Sequence, residues 1–306
     1  MARKWWGALL LSPLLLGAAL LGAREAALAR MEAGLAAWAE ARRAEGWTIR
    51  HAPPRRAGFP FAAELVLEEL ALDTPARLGW ESARVTLRLG LDDPLHARAA
   101  FAGPQALRAG GGATPVEAEA LRLRAPLLGG EATLSAERLA APGLALAGLT
   151  AHLAPATLRA EARRLSAAGL PPLEEARLAA RSTTPIPGSA AAFRAAEGRL
   201  RLDEFAARSG QAALRLEAEL GLDARLQPEG HGRLVVTNPD AALTALVRAG
   251  ALPANLLPTL RAVLALSARP PAEGGPPRLD VALELRDRRL GAGRIPWLVL
   301  PPLDWR

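Results

Sequence analysis

From residue 47 onward the apolar positions of this chain recur every second residue. Val85, Leu87, Leu89 and Leu91 alternate with Arg84, Thr86, Arg88 and Gly90. The same alternation marks Leu121 and Leu123, Leu200 and Leu202, Leu214, Leu216 and Ala218, and Leu279, Val281, Leu283 and Leu285. One apolar and one polar face is the pattern of antiparallel strands covered on a single side. Leucine and alanine are weak strand formers, so the repeated alternation carries the assignment. The expected fold class is mainly β (α+β): a long, curved antiparallel sheet with an apolar concave side.

Before residue 47 the period is helical. Leu28, Met31, Leu35 and Trp38 form one stripe, with Glu25, Glu32, Glu40, Arg42 and Arg43 mostly off it. The stripe packs on the body or lies in a headgroup layer. Gly46 predicts a left-handed helix stop, closed by Trp47. Near the other end, Asn238-Pro239-Asp240 reads as a helix start, with Leu243, Leu246 and Val247 as its apolar side and Gly250 as its end. A second short helix is expected over Pro253–Ser267, with Pro258 bending it or marking its true start.

Ahead of the stripe, Arg3 and Lys4 precede Trp5–Ala23, nineteen uncharged residues with Ser12 as the only polar one. A helix needs about 20 residues to cross a hydrocarbon core of about 30 Å. The reading is a membrane anchor with a cytoplasmic N-terminus. Two alternatives stay open: a signal peptide cleaved near Ala27-Leu28-Ala29, and a buried helix. The expected domains are a membrane anchor over 1–23, an amphipathic stalk helix over 24–46 and a single β-rich extracytoplasmic domain over 47–306. Pro- and Gly-rich stretches at Gly103–Pro115, Thr184–Gly188 and Pro270–Pro277 are expected to be loops within that one body.

Composition changes the picture in three ways. Half the residues are hydrophobic, so the chain folds. There is no cysteine, which removes thiol catalysis, Cys-ligated metals and disulfides. The net charge of +7 invites nucleic acid, but the basic residues never exceed two in a row and aromatics are only 4%. No nucleic-acid partner is therefore expected. Lys4 is the only lysine, so Schiff-base chemistry in the body is excluded.

Candidate chemistry is sparse. Gly110-Gly111-Gly112 has no following lysine and is no phosphate loop. His51, His96, His152 and His231 lie far apart, without metal-ligand spacing. Asp92-Asp93 and Glu174-Glu175 are adjacent carboxylates, which on a strand point to opposite faces. No catalytic, cofactor-binding or metal residue is assigned, no ligand-binding residue is singled out, and no cofactor is expected.

The order of short signals resembles a known family. Trp38…Glu45-Gly46-Trp47, Gly58-Phe59-Pro60, Trp80, Pro94-Leu95-His96, Asn238-Pro239-Asp240 and the final strands Leu279–Leu285 and Leu290–Leu300 resemble the bacterial envelope family called "domain of unknown function 2125". The resemblance implies a membrane segment followed by a β-rich remainder, and assigns no activity. Where an Asp-Gly-type hairpin is expected, this chain has Asp287-Arg288-Arg289, which leaves the register of that hairpin open. More distantly, the chain is similar to AsmA-like envelope proteins, associated with lipid handling.

The expected protein is non-catalytic, anchored by one pass in the inner (cytoplasmic) membrane, with its body in the periplasm. It binds lipid or another amphiphile in an apolar groove. The alternative is a structural or adaptor protein of an envelope complex, whose apolar faces form a closed core. The expected partners are the membrane, lipid or envelope proteins. An enzyme would require a histidine and a carboxylate converging in a pocket.

Overall fold

The computed structural model describes residues 5–58, 62–75, 78–90, 92–109, 112–184, 190–270, 274–292 and 295–303; side chains are described from residue 20, those of 295 and 297 excepted. The chain opens with helix α1 (Trp5–Ala44). Short strands β1 (Thr48–Arg50) and β2 (Arg55–Ala57) lead into β3 (Ala62–Asp73), β4 (Leu78–Gly90) and β5 (His96–Ala109). Next come β6 (Gly112–Glu119), β7 (Arg122–Pro126), β8 (Ala132–Ala141), β9 (Leu144–Ala154), β10 (Thr157–Ala167) and β11 (Leu173–Ser182). Helix α2 (Ala190–Ala195) precedes β12 (Leu200–Ser209), β13 (Ala212–Leu222) and β14 (Pro228–Thr237). Helices α3 (Pro239–Arg248) and α4 (Leu257–Ser267) separate β14 from β15 (Arg278–Arg286), β16 (Arg289–Ala292) and β17 (Ile295–Val299).

The described strands make one 17-stranded antiparallel sheet. Each strand from β3 to β17 pairs with its neighbours in sequence, so the sheet is a meander. Two details interrupt it. β1 and β2 share one edge of β3. β6 and β7 form one broken row, because both pair with β5 on one side and β8 on the other.

The strands alternate as expected, with one systematic exception. The inward positions of β3 run Ala63, Leu65, Leu67, then Leu70 and Leu72, with a single step of three. The same step separates Ser82 from Val85, Ala118 from Leu121, Ala136 from Leu139, Leu146 from Leu149, Ala162 from Leu165, Leu173 from Ala176 and Leu202 from Phe205. At the step the cross-strand pairing skips: Glu68↔Arg84 is followed by Leu70↔Ser82, and Ala162↔Leu149 by Arg164↔Ala147. In β5 the insertion is Gly103-Pro104. Left-handed residues sit at several of these points, namely Glu69, Gly103, Ala120, Gly148 and Glu175.

Each step adds one residue to the polar side of a strand. The polar surface is thereby lengthened and the strand bends towards its apolar side. From β3 to β11 the steps are aligned from strand to strand and make a crease, and in β12 the step is displaced to Leu202–Phe205, opposite Ala179 and Ala180. Small residues occupy its floor: Ala136, Ala162, Ala176 and Ala207 are only 3–7% exposed. Of the stretch Gly103–Pro115, expected as a loop, residues 103–109 and 112–115 are instead strand, and Pro115 pairs with Ala106.

Helix α1 closes one end of this surface. Leu28 is fully buried against Ala63 and Leu65, with Ala27 and Met31 beside it, and Leu35 packs on the cluster of Leu67, Leu70, Val85 and Ala99. Arg24 donates to the carbonyls of Ala57 and Gly58, and Arg56 bridges Glu25 and Glu32. Trp38, expected on the stripe, is 41% exposed, and Ala39 at 2% takes its place; a period of 3.6 carries the stripe from Leu35 to position 39 rather than 38. The helix ends as expected: Gly46 is left-handed, Trp47 N–H donates to the Arg42 carbonyl and Gly46 N–H to that of Arg43.

The anchor expected over 1–23 rests largely on side chains outside the described residues. Among the described residues no helix is long and apolar enough to cross a membrane. Phe59 and Pro60 of the Gly-Phe-Pro turn, Leu91, Gly110-Gly111 and residues 185–189 also lie outside the described residues.

At the C-terminal end, α3 begins at Pro239 behind a left-handed Asn238, and Pro258 falls in the first turn of α4, so it marks the helix start. The last strand expected, Leu290–Leu300, is two strands, β16 and β17. Asp287 and Arg288 are both left-handed and Arg286 pairs with Arg289, a two-residue hairpin turn of the primed type. This fixes the register as Leu285↔Leu290 without the glycine that such a turn favours.

Two stability measurements check this account. Leu65→Ala, under α1, should lower the unfolding free energy by about 2–5 kcal/mol, whereas Leu216→Ala should cost about 1 kcal/mol, because its site is already half open. Equal losses in a urea melt would contradict the uneven covering. Arg288→Gly should raise stability by about 1 kcal/mol, by relieving a left-handed non-glycine residue.

Candidate functional site

The candidate site is the apolar face of the meander. Cross-strand rows run along it unbroken. Leu123↔Leu134, Ala151 and Ala160 lead to Leu178, Phe205, Leu216, Leu234 and Val281. A neighbouring row passes from Leu149 and Ala162 to Ala176. The leucines form the walls and the alanines the floor. With strands about 4.8 Å apart, the ten rungs from β8 to β17 give a surface about 43 Å long.

Its covering is uneven. The fully buried large side chains, Leu28, Leu65 and Val85, all lie at the α1 end. Beyond β7 the buried apolar positions are alanines apart from Leu285, and Leu146, Leu165, Leu173, Phe205 and Leu214 are only partly buried around them. Leu144, Leu153 and Leu200 are 38–45% exposed. The total accessible surface is 19681 Å², against about 12,300 Å² for a compact protein of this mass.

The opposite face is ionic. Arg181–Asp203, Arg201–Glu219 and Arg215–Glu204 bridge neighbouring strands at 3.2–3.7 Å. Paired residues at the crease widen it: Glu174 and Glu175 both lie on this face, because the extra residue cancels the alternation that would have separated them. Cross-strand pairs of this kind are worth fractions of a kcal/mol each; collectively they keep the outer surface wet.

One polar cluster on this face is denser. Arg88, Arg98 and Arg124 stand directly opposite one another across β4, β5 and β7. Three adjacent guanidiniums repel, and the turn carboxylates answer them. Asp93 accepts from Arg98 at 3.2 Å and from Arg124 at 2.8 Å, and lies 2.6 Å from His96 Nδ1. Asp92 meets Arg98 at 2.9 Å. The two carboxylates therefore converge on one arginine, from a turn and not from a strand. The His96 hydrogen bond, helped by Arg124 and Arg98 and opposed by burial, holds the Asp93 carboxyl down at about 2. A cavity of about 790 Å³ adjoins it, lined also by Arg122, Thr86 and Ser135.

The histidines do not converge. His96 serves Asp93, His152 lies 3.0 Å from Glu131, His51 contacts the Ala52 carbonyl, and His231 is an exposed position of β14. Among the described residues no group of three His, Asp or Glu side chains could hold a metal ion. Among the described residues the apolar face buries polar side chains at two places: Ser182, whose Oγ has no hydrogen-bond partner, and Ser82 with Gln105. The Ser82–Gln105 pair is internally satisfied: Trp80 Nε1 donates to Gln105, Gln105 to the Gly103 carbonyl and Ser82 to the Arg84 carbonyl.

Sequence reading found the alternation and so the face, but it missed the crease and the Asp93 cluster. The crease has a signal, the three-residue step in the leucine pattern; the cluster has none beyond Asp-Asp before His96.

Fold and face define a mainly β protein built on one long antiparallel sheet with a continuous apolar side. The chain belongs to a family of uncharacterized proteins conserved in bacteria, DUF2125, whose profile matches residues 26–301. No curated protein matches the chain, and no solved structure does.

Asp93 makes a pH prediction. Its carboxyl titrates at about 2 when folded and near 3.9 unfolded, so its contribution is fully present above about pH 4 and lost as pH falls towards 2. Asp93→Asn should flatten the acid limb of a stability–pH curve in that window and leave its slope above pH 5 unchanged.

Proposed function

We propose that this protein is a non-catalytic, membrane-anchored protein of the bacterial envelope that holds the apolar part of a lipid or similar amphiphile against the creased face of its sheet. The observation that carries the proposal is the apolar row from β8 to β15, whose leucines are only half-buried and which is continuous from strand to strand. Monomers rarely leave so large an apolar surface in contact with water. A lipid acyl chain is about half of a 30 Å hydrocarbon core in length, so the β8–β15 stretch, about 34 Å long, accommodates a chain laid along it with room to spare. The alanine floor leaves depth for a methylene chain, and the leucine walls supply dispersion contacts on both sides. The apolar run Trp5–Ala23 would hold the body at a bilayer, the source of such a ligand. The anchor, the periplasmic location and the likeness to AsmA-like proteins all belong to this proposal.

The test compares two leucines. Leu87 packs on the clusters under α1, while Leu216 stands on the uncovered stretch. Leu216→Glu should leave a cooperative thermal melt and remove lipid from the native mass spectrum of the purified protein. Leu87→Glu buries a carboxylate in an apolar cluster and should abolish folding or accumulation. If Leu216→Glu also unfolds the body, the face is a closed core and the adaptor reading replaces this one.

A further inference from the structure

A second apolar surface lies away from the sheet. Helices α3 and α4 form a hairpin inserted between β14 and β15. The inner side of α4, with Leu257, Leu260 and Leu264, is half-buried, and Arg261 ties the helix to Asp240 at 2.5 Å. The outer side is also apolar: Leu256, Val263 and Leu266 are 43%, 54% and 86% exposed. No residue of α4 is buried. A helix with exposed leucine and valine beyond its half-buried side, and with Arg261 as its one charge, leaves an apolar surface in water that a core or a lipid layer would cover.

Its charges are one-sided. Between Asp240 and Glu273 the chain carries Arg248, Arg261 and Arg269 and no carboxylate. Asp240 neutralises Arg261. Arg248, Arg269 and the nearby Arg278 are exposed and have no ion pair among the described residues. Exposed leucine and valine on a segment whose exposed Arg248 and Arg269 have no ion pair among the described residues is the chemistry of an interfacial helix on an anionic bilayer, where the apolar side enters the acyl boundary and guanidiniums meet headgroup phosphates. A protein partner would require its own complementary acidic and apolar patch, whereas an anionic bilayer supplies both at once.

We infer that the α3–α4 hairpin docks on an anionic lipid surface, with Val263 and Leu266 entering it and Arg248 and Arg269 contacting its phosphates. This surface is separate from the creased face, and the inference does not depend on what that face holds.

The absence of cysteine allows a unique label. Leu266→Cys carries an environment-sensitive nitrobenzoxadiazole dye on the full chain held in phosphatidylcholine nanodiscs, and Thr157→Cys, on an exposed strand end of the sheet, serves as reference. Vesicles containing phosphatidylglycerol are then titrated in. Dye at 266 should shift to the blue and brighten, dye at 157 should not, and high salt should reverse the effect. Arg248→Gln with Arg269→Gln should weaken the titration by about thirty-fold, at about 1 kcal/mol per arginine. A water-like dye at 266 throughout overturns the inference, as does an equal response to pure phosphatidylcholine vesicles. A shift that grows with protein concentration before any vesicle is added assigns the surface to a second copy of the chain and overturns it as well. The dye reads only the hairpin's surroundings, so the result is the same whether or not the N-terminal segment inserts.

Discussion

The structure depends on a conflict between two repeats in the same strands. A flat strand keeps its apolar residues on one side by alternating strictly. Here that alternation is broken once in each row from β3 to β12, at Leu67–Leu70, Ala136–Leu139, Ala162–Leu165 and their neighbours, with the extra residue on the charged side, while β13 to β15 alternate without a break. One insertion would be a local bulge. Insertions aligned across successive strands must bend the whole sheet in one direction, because each strand is hydrogen-bonded to the next and cannot kink alone. The small floor, the leucine walls and the ionic outer surface follow from that bend.

The same constraint explains why the sheet needs no second layer at its crease. Ala162 and Ala176 are buried without any helix above them, since the two halves of each strand shelter the residues between them. A larger side chain there would push the walls apart. At the α1 end the solution differs. Leu65 and Val85 are large, and Leu28 and Leu35 of the helix complete their burial. Stability is therefore concentrated where the helix docks, and the remaining strands rely on backbone pairing, shallow apolar contact and surface ion pairs.

The irregular features cluster where charge meets curvature. Gly148 is left-handed, and a side chain there would meet the Arg163 side chain lying across it. Glu69, Ala120 and Glu175 adopt the same conformation without being glycine, at about 1 kcal/mol or more each. Such positions persist because the pairing on both sides holds them. The Asp92–Asp93 turn plays a similar part for Arg98 and Arg124, and Glu64 for Arg88, the three arginines that the register forces side by side.

Much of this was legible in the sequence. Alternating leucines fix the strands and their faces, because solvent sorts side chains by polarity whatever the neighbours are. Gly46-Trp47 and Asn238-Pro239 fix helix ends, because local backbone geometry decides them. The crease was written there too, as a step of three, but a single step reads as noise until its neighbours are known. What only the tertiary structure decided is non-local: that the strands join in sequence order into one sheet, that the steps fall in line, that Trp38 yields to Ala39, that Asp287-Arg288 makes the tight turn without glycine, and that α1 covers one end while the leucines beyond β7 stay half open. Those outcomes depend on register between distant residues and on how much surface remains to cover them, and neither quantity exists along a single strand.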